Sequence, residues 1–180
     1  MLIYAQMDQR DGEKMKLDIT KLTAGSIIAN ASMTLQGCAI RVRTWGWKAI
    51  LDMSKTNHII IACKAPEGIL YGMEMIPPKI HRIDLNEIQN ICWQYTDSRI
   101  ASDTNFQLAA NDFLWKAYAA GIRYDWLGIL EFLGWPHDNA KKYYCSEMYQ
   151  AMLLKIGVPH PVEWDKKCSP ADLQKYYKGV

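Results

Sequence analysis

No stretch of this sequence approaches the roughly 20 consecutive apolar residues that a bilayer-spanning helix requires. The longest, Ile59-Ile60-Ile61-Ala62-Cys63, is short enough for a buried strand. Neither sign of charge dominates: 21 Lys and Arg against 19 Asp and Glu leave a net +2. That balance removes any global electrostatic case for a nucleic-acid partner or an anionic membrane. The first residues, Met1 to Lys16, interleave Asp8, Arg10, Asp11, Glu13 and Lys14 with short apolar pieces. They lack the apolar segment of a secretory leader, so the expectation is a chain cytoplasmic at synthesis. Phenylalanine is scarce, at three residues against ten Tyr and seven Trp. Tyr and Trp suit half-buried positions with one wet end, ligand clefts among them.

Paired cysteines are missing as well. Cys38, Cys63, Cys92, Cys145 and Cys168 are widely and irregularly spaced with no CxxC, which argues against a zinc site and a dithiol redox pair. Their odd number points to free thiols that behave as small hydrophobes. No phosphate-cradling glycine loop, dinucleotide fingerprint or metal-ligand cluster is present, so neither a cofactor nor a metal is expected. What remains is ample for one core. The 180 residues are 49% apolar and 22% charged, a globular composition of single-domain size rather than a disordered one.

Hydrophobic period changes along the chain. Residues 1–23 are polar and weakly patterned and read as an N-terminal extension to a domain over 24–180. Gly25 to Ala29 reads as a strand after a turn, and Ile40 to Trp45 alternates apolar and basic residues as a half-exposed strand does. Trp47 to Met53 reads as a short helix or loop. His58 to Cys63 and Ile69 to Met75, separated by the turn residues Ala65-Pro66-Glu67-Gly68, read as a hairpin. Lys79 to Asp84 alternates again as a third strand. Asp84 then caps an expected helix near Leu85 to Asn90, and Ile91 to Tyr95 is a further short strand. Beyond this the period becomes helical: Asp103 to Gly121, a short helix within Tyr124 to Gly134, and Ser146 to Ile156 ending at Gly157. A last helix opens at Ser169-Pro170 and runs to Tyr177. The fold class is α+β, with strands concentrated in the first half and helices in the second.

Cys145 stands at the expected start of the Ser146 to Ile156 helix. Free backbone N–H groups there favour an anion, and can also donate to the oxyanion of a tetrahedral intermediate. A cysteine nucleophile needs a base, usually His, and the base needs a polar orienter. His58 opens the strongest strand after the polar stretch Ser54-Lys55-Thr56-Asn57. Glu74 lies on the returning strand between Met73 and Met75, where a carboxylate is costly to desolvate without a partner. Pairing of these strands would bring Glu74 near His58. His81, His137 and His160 sit in more ordinary settings: an alternating strand and two Pro-flanked loops.

Seven segments in order resemble the permuted papain-fold cysteine hydrolases of the NlpC superfamily, in their YiiX/YebB-like branch. They are Ala24-Gly25-Ser26-Ile27-Ile28, Asn57-His58-Ile59-Ile60-Ile61, Leu70-Tyr71-Gly72-Met73-Glu74-Met75 and Lys79-Ile80-His81-Arg82-Ile83-Asp84-Leu85. Tyr124-Asp125-Trp126-Leu127-Gly128, Tyr144-Cys145-Ser146-Glu147-Met148 and Ser169-Pro170-Ala171-Asp172-Leu173 complete the set, which spans Ala24 to Tyr177. The resemblance implies a circularly permuted papain-like fold, an antiparallel sheet or partial barrel packed against helices. In it the His strand precedes the nucleophile helix, the reverse of the order in papain. It further implies Cys145 as nucleophile, His58 as general base and Glu74 as its orienter, with Glu147 structural. The chain departs from the pattern at Asn57, where Ser or Thr is common, and at Ile59-Ile60, which replace Val-Gly and narrow the space beside the base.

The implied activity is that of a cysteine amidase or peptidase acting on a small amide or peptide, cell-wall peptides included. Two alternatives stand beside it. One is acyl transfer or lipid deacylation, for which the apolar stretch Trp126 to Leu133 would supply a groove. The other is a non-catalytic phage or mobile-element protein retaining the fold. Arg41, Arg43, Lys48 and Lys55 make the region before His58 basic, and read as a solvated face rather than a carboxylate-binding patch. Nothing in the residues sets an oligomeric state.

Overall fold

The computed structural model describes residues 15–31, 55–88, 91–125, 142–160 and 168–178. The expected strand at Ile40 to Trp45, the segment Trp47 to Met53 and the apolar stretch Trp126 to Leu133 lie outside them. The described residues form an α+β fold, a seven-stranded, mostly antiparallel open sheet with four helices packed against it. The strands are β1 (Ile27–Asn30), β2 (His58–Lys64), β3 (Leu70–Ile76), β4 (Lys79–Asp84), β5 (Trp93–Tyr95), β6 (Arg123–Tyr124) and β7 (Lys142–Tyr143). Their order across the sheet is β5-β1-β2-β3-β4-β6-β7, and only the β6–β7 pair is parallel. The helices are α1 (Ser98–Ser102), α2 (Thr104–Ala119), α3 (Cys145–Ile156) and α4 (Pro170–Lys178).

Period-two alternation explains how the sheet divides its side chains. On β2, Ile59, Ile61 and Cys63 join Met73 and Met75 of β3 in a core completed by Ala110 and Leu114 of α2 and Met148, Met152 and Leu153 of α3. The intervening Ile60 and Ala62 join Ile28, Leu85 and Ile91 in a second cluster on the other side. That second side is closed by Leu17 and Leu22, and Met15 bridges Ile91 with backbone hydrogen bonds in both directions. Residues 15–22, within the segment expected to be a polar extension, therefore contribute to the packing of the sheet.

The central hairpin turns where Gly68, at φ +89, takes a left-handed conformation that other residues rarely adopt. Gly72 on β3 is needed for a different reason. A Cβ there would lie 2.6 Å from Cγ2 of Ile60 and 2.7 Å from Cγ2 of Ile83, so only hydrogen fits between the flanking strands. Helix ends follow the chemistry of their caps. The Asp103 carboxylate accepts from the Asn105 N–H to start α2, and Gly157 at φ 75 ends α3.

Some expectations change length or place. The helix expected from Leu85 to Asn90 is a 3-10 turn over Leu85–Glu87, still capped by Asp84. Only Leu85 of that turn is buried, too narrow an apolar face to hold a full helix against the sheet. The strand expected from Ile91 begins at Trp93, because Ile91 is occupied by its bridge to Met15. Tyr124 lies in β6, and the rest of the span in which a short helix is expected lies, beyond Asp125, outside the described residues. Helix α1, started by Asp97, was not expected: its five residues bury only Ile100, too few to give a periodic signal.

Candidate functional site

Strand pairing brings the first two candidate residues together. Glu74 on β3 is directly opposite Ile60 on β2, so His58, two residues earlier, is its diagonal neighbour on the same side of the ladder. The imidazole bridges that diagonal, with Nε2 2.8 Å from Oε2 of Glu74. The two side chains keep only 15% and 13% of their surface exposed, so the contact is screened far less than a surface ion pair. In this pairing Glu74 meets the partner that its position between two buried methionines requires.

Cys145 arrives from the other half of the chain as the first residue of α3, with 2% of its surface exposed. Glu147 folds back in the first turn, where its Oε2 accepts from the Tyr144 N–H at 3.1 Å. It thereby satisfies a backbone donor just ahead of the helix, a capping role. Cys145 acts on the His58 ring from the head of α3 and favours its protonated form. Burial works against a charged His58. Cys145 and the hydrogen-bonded Glu74 nevertheless push it up to about 10. Both neighbours thus favour the protonated ring against the cost of burying it. Chemically, the arrangement can hold a proton between sulfur and ring, keep the ring oriented, and offer backbone donors at a helix terminus.

The remaining cysteines differ. Cys63, Cys92 and Cys168 are buried. Burial pushes the Cys63 thiol up to about 12 and drives that of Cys168 upward too. Cys38, like His137, lies outside the described residues. Among the other histidines, His160 is partly exposed in the loop after α3. His81 is opposite Glu74 on β4, with a buried Nε2 that has no hydrogen-bond partner among the described residues.

Sequence reasoning gave no weight to Thr56 and Gln174. Thr56 is wholly buried, with Oγ1 donating to the Asn30 carbonyl at 3.0 Å and lying 3.1 Å from that of His58. Its backbone N–H donates to Oε1 of Gln174 on α4 at 3.0 Å. A buried Gln in an amphipathic helix is the one signal that would have marked the contact, and its partner is far away in the chain. Among the described residues no group of three or more His, Cys, Asp or Glu is arranged to hold a metal ion. No helix among them is long and apolar enough to cross a membrane. Comparison of the chain with protein-family models, curated proteins and solved structures gives no match.

Proposed function

We propose that this protein is a cysteine hydrolase with a circularly permuted papain-like arrangement, cleaving a small amide or peptide bond through an acyl-enzyme. The observation that carries this reading is the His58 ring, 2.8 Å from the Glu74 carboxylate and pushed toward its protonated form by both Glu74 and Cys145, which heads α3. A merely structural histidine seldom lies between a carboxylate and a thiol at a helix N-terminus. The chain order, with the histidine strand first and the nucleophile helix later, is that of the permuted family whose motifs the sequence resembles. Substrates of the peptidoglycan-peptide class follow from that resemblance.

In this mechanism Nε2 of His58 is taken by Glu74, which leaves Nδ1 to face the sulfur. The Cys145 thiolate adds to the substrate carbonyl carbon, and the π electrons move onto oxygen. Backbone N–H groups in the first turn of α3 receive that oxyanion. As the tetrahedral adduct collapses, the C–N bond breaks, and the His58 imidazolium gives its proton to the departing amine. Water then adds to the thioester while neutral His58 takes one of its protons. Collapse releases the acid and restores the thiolate–imidazolium pair. Glu74 touches none of the reacting atoms: it fixes the ring and stabilises its charge.

The test is intact-mass spectrometry of the protein mixed with a panel of peptide amides, including D-amino-acid peptides of the cell-wall type, and of acyl esters. An acyl adduct that maps to Cys145, turns over in water and is absent in Cys145→Ser supports the reading. A protein that processes none of the panel and forms no adduct with its activated esters refutes it. Turnover of long-chain esters alone would move the assignment to lipid deacylation.

A further inference from the structure

The spacing of Cys145 and His58 depends on how α3 is held against the sheet. The helix α3 rests on the sheet through methionine and leucine side chains, and apolar contact is non-directional, so it resists separation far better than it resists sliding. Two buried, directional hydrogen bonds lie on either side of the site, and both end on one short segment. At its start, the Ser146 hydroxyl, adjacent to the nucleophile, donates to the backbone carbonyl of Cys168. Further on, Oε1 of Gln174 accepts the N–H of Thr56, two residues before His58, at 3.0 Å. Ser146 and Thr56 are completely buried, and Gln174 is 3% exposed.

Between these two attachments the segment is stiff. Ser169 caps α4, its N–H and hydroxyl reaching Oδ2 of Asp172 at 2.8 and 2.6 Å while the Asp172 N–H returns to Ser169 Oγ at 3.2 Å. From Pro170 onward the chain is helical. Beyond Gln174, Tyr177 stacks on Tyr95 of β5 at 4.3 Å between centroids, and its hydroxyl is 3.0 Å from that of Tyr149 on α3. The helix is thus pinned to both the sheet edge and α3.

We propose that the segment from Cys168 to Gln174 is a rigid strap that sets the spacing of Cys145 and His58, with Ser146 and Gln174 as positioning residues at its two ends. The inference rests on the hydrolase reading of that pair and adds the part of the fold that holds it in register. Helical rise fixes the span from Pro170 to Gln174 at about 6 Å. Losing either attachment frees one reacting group to drift relative to the other, and a displacement of about 1 Å can cost on the order of 100-fold in rate.

The experiment measures the rate of Cys145 alkylation by iodoacetamide across pH in the full chain, with melting curves for each variant. The set is the parent, His58→Ala, Gln174→Met and Ser146→Ala. Gln174→Met keeps the side-chain length and loses the acceptor, while the Tyr177 contacts still dock α4. Ser146→Ala removes the other attachment, so either variant decides the matter should the other fail to fold. In the parent the profile carries the His58 ionisation, which His58→Ala lacks. We expect Gln174→Met and Ser146→Ala to fold, to shift the profile toward that of His58→Ala, and to slow alkylation at neutral pH by roughly 10- to 100-fold. Parent-like rates and profiles in both folded variants, with His58→Ala altered, would overturn the strap alone. An unchanged profile in His58→Ala would overturn the Cys145–His58 pairing, and the strap with it.

Discussion

Replacing Glu74 by Gln preserves the shape of the side chain and an oxygen within reach of His58, but removes a negative charge 2.8 Å from Nε2. Two unit charges about 4 Å apart at an effective dielectric near 20 interact by roughly 4 kcal/mol. Displacements produced by a neighbouring opposite charge are usually about 1–3 pH units. His58, pushed up from 6.5 to about 10 by Cys145 and Glu74 against the opposing effect of burial, should therefore fall by about that amount in Glu74→Gln. It should stay above its ordinary value, because Cys145 still favours the protonated ring. The consequence for folding has a definite sign. A group whose proton is held more tightly in the folded state stabilises it fully below its unfolded value of 6.5, and that stabilisation is lost as pH rises through about 10. The assay pairs an NMR titration of the His58 ring with urea unfolding at about pH 6 and about pH 10. Glu74→Gln should lower the ring midpoint and flatten the alkaline loss of stability. An unmoved midpoint with an unchanged stability profile would show that the carboxylate does not hold the ring.

Two further outcomes follow from burial and packing. In the folded protein Cys145 should be alkylated well before Cys63 and Cys168, whose thiols burial drives upward; peptide mapping that finds equal labelling would contradict the arrangement. Gly72→Ala should lower folding stability by about 1–3 kcal/mol, since its methyl would press on Ile60 and Ile83. A denaturation midpoint within error of the parent would mean that those strands are less tightly packed.

Local chemistry made much of the architecture legible in the residues themselves. The Ile-rich β2, the turn at Ala65 to Gly68 and the returning β3 are a hairpin by composition and period. Asp103, Gly157 and the Ser169-Pro170 pair mark helix ends wherever they occur, because their effect on the backbone needs only near neighbours. The same locality made the diagonal approach of Glu74 to His58 a reasonable expectation once the hairpin was recognised.

Other features are set by partners far apart in the chain, and no local pattern carries them. The parallel pairing of Arg123–Tyr124 with Lys142–Tyr143 joins two-residue strands too short to show any period. Residues 1–23 read as a polar extension, yet Leu17 and Leu22 cover the second face of the sheet. The 3-10 turn at Leu85–Glu87 buries only Leu85, too narrow a face to hold a full helix against the sheet. At the site, residue types alone nominate Cys145 and His58, but their spacing depends on how α3 rests on the sheet and where α4 attaches. The contacts of Gln174 with Thr56 and of Ser146 with Cys168 are buried hydrogen bonds between chemically ordinary residues. Their importance comes from burial and geometry, which exist only after the chain has closed its core.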